Sequence, residues 1–383
     1  MNDEVQENKK KKFEPLAKWV IKALTDGQTK LVCWNGRDYF FYENRYVADN
    51  LETRVRRWML TADIAQSNAL VANVLPVIRT LCNASPVQYP QMPFWTGAGD
   101  DCKNVIAYKN GRLNVDAFLQ GKMELLPHSL HWVSTFCLPY NFNVDAKCER
   151  WLKFLDEVFG DDRVKLLQQW LGYCLLPHNN KQVCIHFQGP PASGKSTIGE
   201  VLRQLVGTEN ATGYSLDSLA REHGTAILLN KMVAVCGETN LTGHPQKRRI
   251  MERFTSIVGG DAVAVNPKYM DECSARLPVK FTVLSNEDVI FADHAGAMAR
   301  RLLCLPFDKS FANCADDTLP AQLAAEIEGI AQWALSGLLS LEHDGKFHEP
   351  ERTKEKKQEQ RRSNSDVFAF LQDRVKVHQS CDP

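Results

Sequence analysis

The chain has 383 residues, 44% hydrophobic and 24% charged, which is an ordinary globular composition and predicts about two or three domains. Its 46 basic and 46 acidic residues cancel, so the net charge does not indicate a protein coated in nucleic acid, although basic groups can still be concentrated on one surface. The sequence shows no apolar run of about 18 residues and no signal peptide, so we expect no membrane partner and a cytoplasmic location. None of the twelve cysteines belongs to a C-x-x-C motif, which argues against a zinc site or a disulfide framework.

The first part of the chain combines a polar tail with helical and hairpin patterns. Residues 1–12 are rich in Lys, Glu and Asn and are predicted to be a disordered tail. Residues 13–145 carry apolar residues at helical spacing and two Asn-Gly turns, Asn35-Gly36 and Asn110-Gly111, each flanked by strand-forming residues. We therefore expect an α+β accessory domain in the N-terminal part.

Two amphipathic helices are predicted next, over residues 145–160 and 161–176, and they form a helical collar or linker at 146–178. Pro177 ends the second helix, because proline cannot continue the backbone hydrogen bonding. After this point the pattern changes to short apolar strands separated by helices.

The segment 179–310 is predicted to be the core domain. Its apolar strands are predicted at 183–187, 232–236, 279–284 and 301–305. Strands that alternate with helices form a parallel sheet, and ligands bind at the carboxyl ends of its strands. The fold class is therefore predicted to be α/β, with a parallel-sheet core of the P-loop NTPase type.

The strongest motif lies between the first of these strands and the helix after it. Residues 189–197 spell GPPASGKST and match the phosphate-loop pattern G-x-x-x-x-G-K-[ST] at every fixed position. Backbone N–H groups of the turn and the helix dipole favour an anion there, Lys195 would reach the β- and γ-phosphates of ATP, and Ser196 would be a ligand of Mg²⁺. The predicted nucleotide-binding residues are Gly189, Pro190, Pro191, Ala192, Ser193, Gly194, Lys195, Ser196 and Thr197.

Two later strands end in polar residues that suit hydrolysis of a nucleoside triphosphate. The strand 232–236 is followed by Gly237 and Glu238, and Glu238 is the candidate base that polarises the attacking water. Gly237 stands where an Asp is usual, which leaves a direct carboxylate ligand to Mg²⁺ open, and a solvated Glu at a strand end is the plainer alternative. Asn286 follows the third strand and is the candidate sensor of the γ-phosphate, although an Asn after a strand is more often a turn residue.

Cationic residues provide the other candidate site positions. Arg300 and Arg301 precede the last strand, where they can supply charge to the transition state, often from a neighbouring subunit, or simply solvate the strand start. Lys268 and Tyr269 lie near the tip of a predicted extended segment, where Lys can meet a phosphate and Tyr can stack on a base of single-stranded nucleic acid. A plain surface hairpin is the alternative for that pair.

The C-terminal part is predicted to be helical and then highly charged. One helix is predicted over 318–341, within a helical part at 311–343. Residues 344–362 are almost all charged and are predicted to be a linker. The segment 344–383 therefore predicts a charged linker and the start of a C-terminal module that is cut short.

Taken in order, these motifs resemble the superfamily 3 helicases of the AAA+ class, and most closely the helicase half of phage and plasmid primase–helicases. The pieces that carry the resemblance are GPPASGKST, VAVCGETN, IVGGDAVAVNPKYMDE, FTVLSNE and AMARRLLCLPF. Upstream, VIAYKNGRLNV and LLQQWLGYCLLP resemble the accessory N-terminal region of the family, and the chain from residue 363 onward resembles the start of a winged-helix region.

The resemblance implies an ATP-driven, hexameric homo-oligomeric ring that translocates on single-stranded DNA with 3′-to-5′ polarity. The implied roles are the first motif for Lys195 and Ser196, the second motif for Glu238, the pore hairpin for Asp261, Lys268 and Tyr269, the sensor for Asn286, and the finger in trans for Arg301 or Arg300. The resemblance also implies a primase or polymerase, as a separate partner or as a fused upstream domain, and no such domain is visible ahead of residue 13.

Two other functions stay open at this point. A nucleotide-switched AAA+ replication initiator or assembly module with little unwinding would keep Lys195 and would not need Glu238. A P-loop kinase of a small molecule would need a mobile lid with arginines and an acceptor pocket, and the sequence shows neither. A replicative helicase of a mobile element accounts for most of the motifs. A ring also explains how a chain of zero net charge binds DNA, because six copies of Lys268 in one channel would give a high local potential.

Overall fold

A computed structural model describes residues 2–25, 30–89, 91–97, 104–237, 241, 244–268, 272–286, 297–313 and 316–363. These residues form a mixed α/β structure that contains a five-stranded parallel sheet. Among the helices of these ranges, none has the length and apolar character needed to cross a bilayer.

The N-terminal part mixes helices with small sheets. Its helices are α1 (Asn2–Leu24), α2 (Leu51–Thr61), α3 (Asn68–Leu81) and α4 (Val115–Leu119). Its strands are β1 (Leu31–Trp34), β2 (Arg37–Tyr42), β3 (Arg45–Ala48), β4 (Asn83–Ala84), β5 (Phe94–Trp95), β6 (Val105–Tyr108), β7 (Gly111–Asn114), β8 (Leu125–Leu126) and β9 (Trp132–Val133). They pair in the orders β3-β2-β1-β4, β5-β9 and β6-β7-β8.

The first helix corrects the prediction of a disordered tail at 1–12. α1 begins at Asn2, and the Lys and Glu residues of its start are good helix formers. Further along, Ala17 and Val20 are fully buried in a core shared with α2 and α3. Tertiary packing of this apolar face stabilises the helix, which propensity alone does not reveal.

Both predicted hairpins are confirmed, one of them with a shifted turn. β1 and β2 are joined by Asn35-Gly36, whose φ angles of 49° and 73° are those of a primed hairpin turn. In the second hairpin the turn is Lys109-Asn110, because Tyr108 pairs with Gly111, and the glycine is therefore the first residue of β7.

The two helices predicted before the sheet are confirmed as α5 (Glu149–Val158) and α6 (Arg163–Cys174). α6 contributes Trp170, which is fully buried, and the indole N–H donates a 3.0 Å hydrogen bond to the Thr282 hydroxyl. Thr282 belongs to a central strand of the parallel sheet, so this bond joins the helical part to the sheet.

The core elements follow in chain order. They are β10 (Cys184–Gln188), α7 (Lys195–Val206), β11 (Ala211–Tyr214), β12 (Val233–Cys236), α8 (Lys247–Val258), β13 (Ala262–Val265), β14 (Cys273–Arg276), β15 (Lys280–Ser285), α9 (Ala297–Arg301) and β16 (Leu302–Pro306). The parallel strands lie in the order β11-β12-β15-β10-β16. Four of them confirm predicted strands, whereas β11 was missed because its sequence, ATGY, has a glycine and no apolar run.

The sheet is covered on both faces. Ile198 and Leu202 of α7 share one core with Phe187 of β10. On the other face Phe254 of α8 packs on Phe281 of β15, with ring centroids 4.8 Å apart. Burial of both faces explains why these strands are continuous apolar runs.

The helix predicted over 318–341 is two helices, α10 (Leu319–Ala325) and α11 (Ile327–Asp344), which meet at Glu326. The Glu326 carboxylate accepts hydrogen bonds of 3.0 Å from the backbone N–H groups of Arg150 and Trp151. These groups lie in the first turn of α5, whose own N-cap residue makes no side-chain hydrogen bond. The break therefore places a carboxylate where it caps α5, a contact between distant segments that sequence periodicity does not encode.

The charged segment predicted as a linker contains a further helix, α12 (Glu351–Ser363). It packs along β16, one of the two edge strands of the sheet, with Thr353 fully buried. Its charges pair along the helix, for example Lys354 with Glu351 and Lys356 with Glu359. A helix that covers an edge strand protects it, and the dense charge that suggested a linker is compatible with helical ion pairs.

Candidate nucleotide site

The loop between β10 and α7 has the geometry of a phosphate-binding turn. Gly194 has φ 93° and ψ −4°, a left-handed conformation that favours glycine, and it is the N-cap of α7. α7 begins at Lys195, and the first N–H groups of a helix are not used within the helix itself. A strand, a tight loop and a helix N-terminus therefore meet at one point, where an anion is favoured.

The segment that follows β16 supports this loop from one side. A Cβ atom on Gly189 would lie 2.2 Å from the Phe307 carbonyl oxygen, so only glycine fits at the first position of the motif. The Ser310 hydroxyl and the Phe311 N–H each donate a 2.8 Å hydrogen bond to a carbonyl oxygen of the loop. The segment that follows β16 therefore holds the loop in place.

The Lys195 side chain lies against the loop. Its Nζ donates to the carbonyl oxygens of Gly189 (2.6 Å) and Pro190 (2.7 Å) and to the Ser193 hydroxyl (3.1 Å). Lys195 and Ser193 are both buried. The structure thus places the ammonium group beside the loop backbone, where its charge adds to that of the helix N-terminus.

Ser196 and Thr197 lie in the first turn of α7, and Ser196 is exposed beside the loop. A hydroxyl in this position fits Mg²⁺, which takes oxygen ligands, keeps several waters and contacts substrate phosphates. Elsewhere in the described ranges, no group of three His, Cys, Asp or Glu side chains is close enough to hold a metal ion.

The carboxyl end of β15 lies directly beside the phosphate loop. The Gly189 N–H donates to the Ser285 carbonyl oxygen (3.3 Å), and the Ser285 hydroxyl lies 2.6 Å from His186 Nε2 in the buried interior. Asn286 is the next residue and is exposed at this edge. The structure therefore brings Asn286 and the loop to the same edge of the sheet.

The end of β12 lies one strand further along. β15 separates β12 from β10, so Gly237 is about 10 Å from the loop strand, two strand spacings away. The end of β12 is therefore at the same carboxyl side of the sheet as the loop, with the end of β15 between them. Glu238 itself lies outside the described residues.

The two candidate finger arginines lie at the amino ends of the parallel strands, whereas the phosphate loop lies at their carboxyl ends. Arg301 ends α9, and the next residue, Leu302, pairs with Cys184 at the start of β10. The phosphate loop follows the other end of β10, about 20 Å away at the rise of a strand. Arg300 is exposed and Arg301 is half-buried near Gly259, so neither side chain reaches the loop of its own chain.

The predicted extended segment is a hairpin of β13 and β14, which pair antiparallel. Lys268 is exposed near its tip, and Asp261 precedes β13, whereas Tyr269 lies outside the described residues. The hairpin is attached to the core by His223, whose Nδ1 lies 2.8 Å from the Asn266 carbonyl oxygen. The structure thus presents Lys268 exposed, two residues after an anchored position.

One buried ionic group near the loop was missed by sequence reasoning. Arg163 is buried and donates to the Pro306 carbonyl oxygen (2.8 Å) and to the carboxylates of Asp308 (2.7 Å) and Asp161 (2.9 Å). Partial burial raises the pKa of Asp161, but the bonds from Arg163 outweigh this and hold it below its usual value. The partners of Arg163 are 143 and 145 residues later in the chain and two residues earlier, so no local pattern reveals the group.

Comparison with known proteins gives one partial family match and a likeness in fold. Residues 187–301 match the model of a family described as a family of unknown function, DUF5906, and this segment contains every candidate site residue. An apo structure of the NrS-1 C-terminal region (305–718) is similar with a TM-score of 0.57 and 13% identity, over 94% of this chain and 75% of that chain. An A-form apo structure of the same region gives a TM-score of 0.57 and 13% identity, over 91% and 75%. At this identity the likeness shows a shared fold.

Proposed function

We propose that this chain is an ATP-dependent, ring-forming DNA helicase of a phage or other mobile element, which translocates on single-stranded DNA during replication. The observation that carries the proposal is the loop between β10 and α7, with Gly194 in the left-handed conformation and Lys195 Nζ against the loop carbonyls. This arrangement suits a nucleoside triphosphate, because backbone N–H groups, a helix N-terminus and a cation converge on one position.

In the proposed reaction the chain's own groups have separate tasks. Lys195 binds the phosphates, Asn286 orients the terminal phosphate from the end of β15, and Glu238 polarises the attacking water. Ser196 holds the Mg²⁺, which when bound neutralises charge that develops on the phosphates. Rigid support of the loop by the segment after β16 keeps these groups aligned during turnover.

The position of the arginines supports assembly into a ring. Arg300 and Arg301 lie about 20 Å from the loop of their own chain, because they are at the amino ends of the parallel strands and the loop is at the carboxyl ends. An arginine finger in this position acts on the loop of a neighbouring subunit. Head-to-tail contacts of this kind form a ring when the rotation between subunits closes. We therefore propose a homo-oligomer, a hexamer by the resemblance of the motifs, whose ATP site is completed between subunits.

The hairpin supports single-stranded DNA as the partner. In a ring, Lys268 and Tyr269 of every subunit would project into one channel, with Lys on phosphates and Tyr on the DNA strand. The net charge of zero is compatible with this, because the positive potential is needed only in the channel.

The test is the rate of ATP hydrolysis at rising protein concentration, with and without single-stranded DNA, beside the Lys195→Ala variant. We expect DNA to stimulate turnover, specific activity to rise with concentration, and Lys195→Ala to be inactive. Turnover that responds to neither DNA nor concentration would contradict the ring helicase and favour a kinase. ATP binding without turnover would favour a nucleotide-switched assembly module.

A mixing experiment tests the shared site directly. Arg301→Ala chains keep an intact loop, and Lys195→Ala chains keep an intact arginine. If the finger acts in trans, a mixture of the two inactive variants recovers part of the activity. No recovery in mixed oligomers, verified by exchange of labelled subunits, would mean that the arginine does not act across the interface.

A further inference from the structure

A cleft of about 270 Å³ opens beside the phosphate loop on the side of β16. Gln188 and Gly189, at the end of β10, form one wall together with residues 306–308. The facing wall is α12, which contributes Arg352, Glu355, Lys356 and Glu359. The cleft is just below the range of about 300–1,000 Å³ that takes whole drug-sized ligands, so it suits one part of a nucleotide.

The strand order indicates which part that is. β15 and β12 lie on one side of β10, and β16 lies on the other. The residues proposed to act on the terminal phosphate, Asn286 and Glu238, follow β15 and β12. A triphosphate bound at the loop with its terminal phosphate towards them extends its nucleoside in the other direction, towards β16 and the cleft.

The charges around the cleft favour an uncharged polar ligand. The carboxylates of Asp308, Glu355 and Glu359 line it beside two cations, Arg352 and Lys356, so the lining carries one more negative than positive charge. The cations already pair with these acids, with Arg352 at 3.4 Å from Asp308 and Lys356 at 2.9 Å from Glu359. A further phosphate would be repelled, whereas the N–H and O–H donors of a base and a ribose are suited to carboxylate acceptors.

Gln188 supplies an independent indication of a ligand. Its side-chain Oε1 is buried and has no hydrogen-bond partner among the described residues, although the residue lines the cleft. A buried acceptor without a donor is costly, and such atoms in a folded protein usually meet a water, an ion or a ligand. A change of the Gln188 rotamer would turn this oxygen towards the cleft, where an amino or hydroxyl group of a nucleoside would satisfy it.

We infer that this cleft is the nucleoside subsite, in which α12 encloses the base and ribose of the nucleotide whose phosphates occupy the loop. The inference rests on the proposed nucleotide binding. It adds to the binding site the charged C-terminal helix α12, which lies outside the sequence motifs. α12 is fixed in place by the buried Thr353 and by the ion pair of Lys357 with Glu349 at 3.1 Å. The subsite is therefore built into the fold of a single chain.

The test compares ATP with inorganic tripolyphosphate, which lacks the nucleoside, by calorimetric titration in the presence of Mg²⁺. Glu355→Trp fills the cleft, and Lys354→Trp is the matched control, since the two neighbours are exposed to 53% and 54% and each has an ion pair within α12. We expect Glu355→Trp to weaken ATP about tenfold, the scale of one or two lost hydrogen bonds, and to leave tripolyphosphate unchanged. Lys354→Trp should change neither ligand.

A second variant, Gln188→Leu, removes the unpartnered acceptor. We expect ATP to bind about fivefold more weakly, because the nucleoside loses a hydrogen-bond acceptor. The melting temperature should be unchanged or higher, because the variant no longer buries a polar atom without a partner. Equal weakening of ATP and tripolyphosphate by Glu355→Trp, or no effect on either, would overturn the subsite. Wild-type protein that binds neither ligand would overturn the proposed function itself, whereas equal affinity for both ligands would overturn only the nucleoside subsite.

Discussion

The substitution Gly189→Ala probes how closely the phosphate loop and the segment after β16 fit together. The added Cβ would lie 2.2 Å from the Phe307 carbonyl oxygen, against an ordinary contact of 3.4 Å or more. Relief needs a movement of about 1.2 Å, and Phe307 cannot supply it freely, since its N–H donates a 2.7 Å bond to Gln188 and its ring packs on Phe159 at 4.9 Å.

The expected cost follows from this geometry. Overpacking of a well-packed site costs about 1–3 kcal/mol, and at about 1.4 kcal/mol per factor of ten this lowers ATP affinity by about 10- to 100-fold if the strain is relieved by moving the loop. If the loop stays in place instead, the same energy is lost from the free energy of unfolding. Either way, the sum of the two losses should be about 1–3 kcal/mol.

Calorimetric ATP titration and urea unfolding measure the two losses. The matched control is Gly213→Ala in β11, a strand of the same sheet, where an added Cβ has no heavy atom within 4 Å and φ is not positive. We expect the control to behave like wild type in both assays. Gly189→Ala protein with wild-type stability and wild-type ATP affinity would refute the close packing of Phe307 on the loop.

Three further outcomes are expected. Burial lowers the pKa of Lys280 from 10.5 to about 8, so between these values the unfolded chain binds more protons at this residue, and its contribution to the free energy of unfolding rises with pH by about 3 kcal/mol. Buried Cys and Tyr groups with raised pKa values contribute in the opposite direction. We therefore expect the difference in unfolding free energy between wild type and Lys280→Met to change by about 3 kcal/mol in favour of wild type from pH 7 to 10.5, and a constant difference would contradict the shift. Glu326→Ala removes the cap of α5 and should cost about 1–2 kcal/mol in urea unfolding, more than Glu328→Ala, whose contacts are 3.3 Å long; equal losses would contradict the capping role. A double-mutant cycle of His186→Leu and Ser285→Ala should give a coupling of about 1 kcal/mol, and additivity would mean that the 2.6 Å contact contributes nothing.

Much of the core could be predicted because its signals are local. The apolar runs of β10, β12, β15 and β16 are continuous since both faces of the sheet are buried, and a short window of sequence contains that pattern. The phosphate loop is likewise one uninterrupted motif, and its glycines are required by the left-handed backbone at Gly194 and the close approach at Gly189.

The missed elements share the opposite property. β11 has the sequence ATGY, in which a glycine and a threonine leave no apolar run, and the break at Glu326 is explained only by the start of α5. α12 has the composition of a linker, and what makes it part of the structure is the edge strand that it covers.

Motif and order in the sequence by themselves predict which residues carry chemistry, namely Lys195, Ser196, Asn286 and Arg301. Only the tertiary structure decided where they lie: Asn286 at the edge of the loop, Gly237 two strands away, and Arg301 at the opposite end of the sheet. The reason is that strand order and the docking of α12 depend on packing between segments far apart in the chain. Such packing minimises exposed apolar surface over the whole molecule and leaves no signal within one segment.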